Sequence, residues 1–567
     1  MNKIVECVPN FSEGRDDEKI RAITDAAATV DGVTLLDVDP GADTNRTVVT
    51  IVGSPEAVKE SAFQAIAKAA EVIDMRTHKG THARMGATDV CPFVPVSGVT
   101  MDDCVQYARE VGERVASELN IPIYLYEHAA TAPERHNLAV VRAGEYEGLE
   151  EKLKDPNWKP DFGDPEFNAQ SGATIMGARE FLIAYNINLN TKDGRWATDI
   201  AFELREKGRS KRIPNPLSRN LLDGEIVRDD NGKVVKVPGM FKDVKAVGWY
   251  VDTYSRAQIS INFTNYKVSS IHEVYDAACR LAEERGLRVT GSELVGLIPL
   301  EALLMAGRYY LQKQGRTFGV PISELVEIAV QSLGLNDVAP FEAEEKIIEY
   351  AVRNDEGGLV SMKVSDFVEE LSTDSPAPGG GSVSALMGSL AAALASMVAA
   401  LTHGKKGMEG KKPEMENVGI KAQELKDRLT VLVDADTEAF NELMAAMRMI
   451  QKTDEQKAAR HSVVQEATKG ATKIPLEVAK LCGKVLELAD VVARDGLAAS
   501  VSDAGVAAEA AFAGLRGARL NVLINLTDIE DEKYKKDVTD EVNKLERSAA
   551  GLKVKVITQV EKVIAKL

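Results

Sequence analysis

An α+β N-terminal half, built of two ferredoxin-like βαββαβ subdomains and followed by an all-α helical-bundle domain, is the architecture this sequence predicts. Three observations carry it. Strand and helix patterns alternate over the first 300 residues in an order that occurs twice. The β-branched alternation stops after Asn354-Asp-Glu-Gly-Gly. From Val364 onward Ala, Leu, Glu and Lys recur at steps of three and four, as five or six bundled helices require.

Residues 3–8 read as a strand, 18–29 as a helix, and 33–39 and 46–53 as strands around a DPGADTN turn. Residues 55–73 follow as a helix, 91–96 as a strand, 101–119 as a helix and 121–126 as a closing strand. The order returns with a strand at 181–189, a helix at 193–206, strands at 244–251 and 258–263, a helix at 271–285 and a strand near 287–289. The polar connection 208–242 is long enough to be either functional or mobile. The domain reading is 1–180 and 181–353 for the two subdomains, 354–362 for a linker and 363–567 for the helical domain.

At 567 residues the chain is too long for one core, and 44% hydrophobic with 28% charged residues is ordinary globular composition. A net charge of −18 argues against general affinity for nucleic acid or anionic membrane, though a local basic cluster can still hold a small anion. The most apolar stretch, 384–401, contains Ser389 and Ser396 and reads as a buried helix rather than a membrane span. The opening MNKIVECVPNFSEG lacks the pattern of a signal peptide. Cys7, Cys91, Cys104, Cys279 and Cys482 form no framework and no CxxC pair, which fits a reducing cytoplasm.

Two constellations carry chemistry. In the first, Arg76, His78, Lys79, His82, Arg84 and Asp89 crowd a Gly-punctuated loop, where a histidine can exchange a proton near neutral pH. His78 and His82 stand four apart, but Gly80 lies between them and no third ligand follows, so no metal site is read. A merely solvated loop is the bland alternative, and His128 and His136 read as structural or surface residues. Asp37 and Asp39 project to one face of their strand, and Asp39, beside the turn, can reach a loop histidine and orient its ring.

In the second, Leu425, Leu429, Leu432, Asp436, Phe440, Leu443 and Met447 fall on one helix face, six apolar residues and one acid. Desolvation there raises a carboxyl pKa toward the range useful for acid catalysis. The alternative is a buried structural acid satisfied by Arg or Lys, while Asp434 turns to solvent. Pro376-Ala-Pro-Gly-Gly-Gly-Ser382 precedes a helix and offers free amides to an anion, or is a flexible helix start. No Gly-Lys-Ser/Thr follows, so there is no nucleotide signal. Lys405, Lys406, Lys411 and Lys412 form a solvated face or attract an anionic tail.

The stretches CVPNFSEG, LLDVDPGADTNRTVVTIVG, THARMGATDVCPFVPV, GATIMGAREFLIAYNINLN, AVGWYVD and GSELVGLIPL resemble the formimidoyltransferase-cyclodeaminases, as do SPAPGGGSV, LVDADTEAF and LNVLINL further on. The resemblance implies that His82 is the transferase's acid/base and that Asp436, the second aspartate of VDAD, is the cyclodeaminase's active-site residue. It implies folate binding by Gly163, Asp164, Pro165, Glu166, Phe167, Asn168, Ala169, Gln170, Ser171 and Gly172, with a further contact at Gly239. By type and position, not by the resemblance, Asp39 reads as the orienting partner of His82, and Arg46 and Arg84 as carboxylate partners of the substrates. The chain departs from the family at Asn168-Ala-Gln-Ser-Gly, where a Trp before the glycine is usual, and in the length of 208–242.

The substrates so implied are N-formimidoyl-L-glutamate and tetrahydrofolate in its polyglutamate forms, with no metal or nucleotide cofactor and a homo-oligomeric assembly. Two alternatives stand beside this reading. One is a transferase whose helical half only assembles subunits. The other is a non-catalytic sensor of small anions, a role the fold class also hosts.

Overall fold

The computed structural model describes residues 3–42, 44–80, 82–252, 254–352 and 358–567. It divides into two compact units, Met1–Ala306 with Ala329–Arg353, and Gly307–Ile328 with Asn354–Leu567. Residues 354–357 of the expected linker lie outside the described residues, and Leu359–Ser361 is a single 3-10 turn.

The first unit opens with β1 (Ile4–Cys7), β2 (Asn10–Phe11), α1 (Asp17–Ala28), β3 (Val33–Gly41), β4 (Arg46–Gly53), α2 (Pro55–Val72), β5 (Thr88–Ser97), α3 (Met101–Leu119) and β6 (Ile123–Glu127). β1 and β2 are one strand interrupted at Val8-Pro9, and together they lie between β4 and β5, antiparallel to both. Proline has no N–H to give a ladder, so the interruption falls there. Alternation then sorts the side chains. Val5, Cys7 and Phe93 face the helices and form one core with Val58, Ile66, Val111 and Val115, while Val49 and Ile51 form a second with Ile23 and Ala65. Glu6, Val8, Asn10, Val48 and Thr50 face the other way.

The expected closing strand, β6, does not pair with β5. A strand absent from the sequence reading, β7 (Thr174–Ala178), lies between them and runs parallel to both. Five residues with every side chain buried give no alternation to detect. Two short helices, α4 (Leu138–Val141) and α5 (Leu149–Lys154), precede it.

The next elements are β8 (Ile183–Leu189), α6 (Gly194–Leu204), β9 (Arg209–Ser210), β10 (Arg212–Ile213), β11 (Glu225–Ile226), β12 (Lys236–Val237), β13 (Val244–Val251), β14 (Arg256–Phe263), α7 (Ile271–Glu284) and β15 (Val289–Val295). The second sheet runs β13-β14-β8-β15 and is antiparallel throughout. The long connection 208–242 is folded into two small ladders, β10–β11 and β9–β12. Its first arginine, Arg209, pairs with Asp199 of α6, whose other carboxylate oxygen takes Arg285 Nε at 2.7 Å. Asp199 is fully buried between these two guanidinium groups.

Helices α8 (Leu300–Lys313), α9 (Ile322–Ser332), α10 (Ala343–Lys346) and α11 (Ile348–Ala351) follow. The helical domain contains α12 (Val364–Leu371), α13 (Gly380–His403), α14 (Lys412–Met447), α15 (Asp454–Asp495), α16 (Val501–Leu526) and α17 (Glu532–Ile564). By length and composition α13 is apolar enough to cross a membrane, and 56% of its most apolar window is buried inside the structure. Its small residues Ala385, Ala392, Ala395 and Ala399 are fully buried in the core built with α14, α15 and α16.

Replacing Asp199 by Ala leaves the two buried guanidinium groups of Arg209 and Arg285 to share the single carboxylate of Glu203, a change that costs about 3 kcal/mol. All three tryptophans, Trp158, Trp196 and Trp249, lie in the first unit. A urea titration followed by tryptophan fluorescence should therefore show a clearly lowered midpoint for Asp199→Ala.

Candidate active sites

In the first unit a cleft of about 910 Å³ opens on the face of the first sheet that carries Glu6, and residues of the second sheet also line it. Arg46, Arg142, Arg179 and Lys245 give the cleft a cationic lining; Glu6, Asp37, Asp39 and Asp243 are among its acids. Of the residues singled out from sequence for the transferase, Asp39 and Arg46 line this cleft.

His82 is bound to the cleft through Arg46, whose Nη1 lies 2.5 Å from His82 Nε2. A guanidinium only donates, so Nε2 must accept and the ring carries its proton on Nδ1. Burial lowers the His82 pKa most, and the positive Arg46 and Arg142 lower it further, against a smaller opposing effect of Asp89. The resting ring is therefore neutral. Its Nδ1 is buried and has no hydrogen-bond partner, and neither has Arg46 Nε. Asp39 was expected at the ring, but Arg46 occupies Nε2. Asp39 stands exposed two ladder positions from Arg46, opposite Val48, and acts on the Arg46 charge.

Arg84 is not free for a substrate. It donates Nη2 to Glu147 at 2.6 Å and Nη1 to Glu147 and Glu145, and its Nε donates to His78 Nδ1 at 3.2 Å. His78 Nε2 in turn gives its proton to the Asn45 carbonyl at 3.0 Å. Gly80 is required by the same crossing, since a Cβ there would meet the Thr44 carbonyl at 2.2 Å. Thr44 and Asn45 of the β3–β4 connection are thus packed directly against His78 and Gly80.

The segment Gly163–Gly172 contributes no residue to the cleft lining. It clamps the His82 loop from behind: Met75 N–H donates to Gln170 O at 2.9 Å and Ala87 N–H to Ser171 O at 2.8 Å. Phe167 stacks obliquely on Tyr146 with ring centres 5.5 Å apart. Gly239 lies elsewhere, against the end of α6, where a Cβ would meet the Arg205 carbonyl at 1.9 Å. That contact alone accounts for its being glycine.

Sequence reasoning missed Glu6, Tyr126, Arg142, Arg179 and Lys245. Two signals were available. Asp89 is buried to 1% exposure and needed a cation, which is Arg142. Glu6 is a charge inside the buried strand IVEC.

In the helical domain, Asp436 of α14 sits over the first turn of α13. A Cβ on Gly381 would meet the Asp436 carboxylate at 2.1–2.3 Å, so only glycine admits it there. Burial raises the Asp436 pKa, partly opposed by hydrogen bonds from the Ser382 side chain and backbone. Among the described residues no Arg or Lys pairs with it, so the arrangement is not a satisfied structural ion pair. Asn521 of α16 lies beside Gly380, with Nδ2 at 3.3 Å from where a Cβ would stand. The motifs SPAPGGGSV, LVDADTEAF and LNVLINL therefore meet at one point. Asp434 is not left to solvent, because it accepts the Leu359 N–H at 2.6 Å. Lys411 is held by Asp495.

The sequence matches three domain families in order: the formiminotransferase domain, N-terminal subdomain, over residues 4–179; the formiminotransferase domain over 184–353; and formiminotransferase-cyclodeaminase over 363–544. It is 42% identical over 552 residues to the formimidoyltransferase-cyclodeaminase of Rattus norvegicus, covering 97% of each chain. The glutamate formimidoyltransferase of Streptococcus pyogenes is 41% identical over 312 residues, which is 55% of this chain and 94% of that relative. The methenyltetrahydrofolate cyclohydrolase of Methylorubrum extorquens is 37% identical over 198 residues, 35% of this chain and 95% of that one. With near-complete coverage of a bifunctional relative, and with matches that follow the two halves described above, the chain belongs to the formimidoyltransferase-cyclodeaminase family.

Proposed function

We propose that the cleft of the first unit transfers the formimidoyl group of N-formimidoyl-L-glutamate to N5 of tetrahydrofolate, and that the Asp436 site closes the product to 5,10-methenyltetrahydrofolate with loss of ammonia. The observation that carries this reading is the unpaired Asp436 carboxylate over the glycine-opened start of α13, at the meeting of three family motifs. A relative of the helical half bears a name that puts methenyltetrahydrofolate, the product proposed here, at such a domain.

In the transfer, N5 attacks the amidine carbon, a tetrahedral intermediate forms, and the bond to the glutamate nitrogen breaks. The proton on N5 must move to that nitrogen, and His82 is the group assigned to move it. Its Nε2 lone pair is engaged by Arg46 at rest. A substrate carboxylate arriving at Arg46 competes for the guanidinium and frees the imidazole as a base. Gly163–Gly172, bonded to the His82 loop, is assigned to hold the folate against it, and Asp39 to tune Arg46 rather than to orient the ring. Lys245 takes the place first given to Arg84, and Arg142, held by Asp89, adds its positive charge to the cleft.

In the ring closure, N10 attacks the same carbon and gives its proton to the departing nitrogen, which takes a second proton from Asp436 and leaves as ammonia; burial raises the Asp436 pKa toward that role. Neither step as written needs a metal or a nucleotide. We further read the β13-β14-β8-β15 order, with α6 and α7 as its helices, as ferredoxin-like, and β3-β4-β1-β5 as the same arrangement extended by β7 and β6. The five cysteines, none in a disulfide, support the cytoplasm as its compartment.

The oligomer is assigned to α13, where Met387, Leu390, Met397 and Leu401 form an exposed apolar stripe at helical spacing. Leu390→Lys with Met397→Lys should reduce the mass measured by sedimentation equilibrium, and an unchanged mass would place the interface elsewhere.

Absorbance in the methenyl-folate band, read after mixing the protein with both substrates, tests the whole reading. His82→Ala should abolish transfer yet still cyclise supplied 5-formimidoyltetrahydrofolate, and Asp436→Asn should do the reverse; loss of both activities in either folded variant would refute the division of labour. Gly381→Ala forces the Asp436 carboxylate away from the α13 amides. Its cyclisation rate should fall about a hundredfold or more, as for a misplaced catalytic group, with transfer unchanged.

A further inference from the structure

Among the acids lining the cleft, Glu6 differs from the rest. Asp37 and Asp39 are exposed, Asp243 and Glu127 are half-buried, and Glu180 pairs with Lys267 at 3.1 Å. Glu6 is only 5% exposed, in the middle of the sheet, opposite Val52 of β4 and Val94 of β5. Its carboxylate has no hydrogen-bond or ion-pair partner among the described residues. Arg179 acts on it through space, but its Nη1 donates to the Glu180 carbonyl at 3.0 Å. Burial pushes the Glu6 pKa up to about 7.

The phenol of Tyr126 lines the same cleft, 4% exposed. Its ring lies across Gly177 of β7, where a Cβ would come within 2.4 Å of a ring carbon. The floor of the cleft thus holds a carboxyl buried without a partner, a phenol and apolar strand surface. Burying a carboxyl unpaired costs several kcal/mol, and groups left in that state gather at binding sites.

The substrate proposed for this cleft has charges of both signs. Its two carboxylates suit Arg46, Arg142, Arg179 and Lys245. Its formimidoyl group is an amidine, a strong base that is cationic at neutral pH, with N–H groups spaced to meet both oxygens of one carboxylate. We propose that Glu6 is the counter-ion of that amidinium, receiving its N–H groups and so selecting the formimidoyl group over neutral amides of glutamate. The inference rests on the transferase reading of the cleft. Association moves a proton from Glu6 to solvent where it is held, and no bond other than O–H is broken.

N-formylglutamate tests it directly, because it keeps both carboxylates and replaces the cationic nitrogen by a neutral oxygen. By calorimetry, the full-length protein should bind formimidoylglutamate about tenfold or more tightly than N-formylglutamate, the ratio that a charged hydrogen-bonded pair supplies. Glu6→Gln should bind the two equally while keeping the affinity for N-formylglutamate. Equal binding by the wild type, retained discrimination in Glu6→Gln, or loss of both ligands from a folded Glu6→Gln would each overturn the assignment. The wild-type ratio is decisive even if the variant does not fold. If the wild type bound neither ligand and produced no methenyl-folate, the transferase reading itself would fall, whereas turnover without discrimination would reject Glu6 alone.

Discussion

Desolvation sets the resting protonation of the groups on which both sites depend. Glu6 is buried and His82 and Asp436 are half-buried, and in each burial is the largest influence on its pKa. The direction follows from charge type: the acids Glu6 and Asp436 are pushed up, toward keeping a proton, and the base His82 is pushed down, toward losing one. The same physics therefore moves a carboxyl of the helical domain toward proton donation and leaves a neutral imidazole beside the cleft. Hydrogen bonds adjust this without reversing it. Ser382 gives back part of the shift at Asp436, and Arg46 adds to the shift at His82.

Most of the fold was legible because each unit obeys a local periodicity. The β3–β4 hairpin alternates, α3 and α7 present apolar stripes, and the switch to three- and four-residue steps marks the bundle. β7 escaped because a strand buried along its whole length has no alternation. The 208–242 connection escaped because its order comes from two-residue ladders and ion pairs with α6, which leave no periodic run to read. At the sites, residue identity was readable where a single element decided it. Asp436 was visible as an acid on an apolar stripe, and its neighbour Gly381 as part of a glycine run. Partnerships were not readable. Asp39 and Arg46 are both plausible neighbours of a loop histidine, and only the fold determines which of them reaches Nε2. Arg84 looked available until Glu145 and Glu147 were placed around it.

The two reactive loops depend on backbone passing unusually close. The His82 loop crosses the β3–β4 turn at Gly80, and α13 begins under Asp436 at Gly381. A single methyl group at either point would have to displace a carbonyl or the carboxylate itself. Close approach also supplies the chemistry. At α13 it presents amide hydrogens to a carboxylate, and in the first unit it fixes the Asn45 carbonyl that sets the His78 tautomer and so orients Arg84.

Such placement has a cost in stability, and its sign can be worked out. Burial pushes the Glu6 pKa up to about 7 in the folded state, from 4.5 for a free glutamate. Between those values the folded state binds more protons than the unfolded one, so stability falls as pH rises through the window, by about 3 kcal/mol in all. The lowered pKa of His82 works oppositely: its penalty comes from the acid side, as an unfolded imidazole takes up protons near pH 6.5 while the folded one does not. Asp436 adds to the alkaline side of the account. Cores of buried aliphatic side chains on both units carry these opposed costs at neutral pH. A cationic amidinium at Glu6 would relieve the largest of them, so binding energy that would otherwise be spent on desolvation has already been met by the fold.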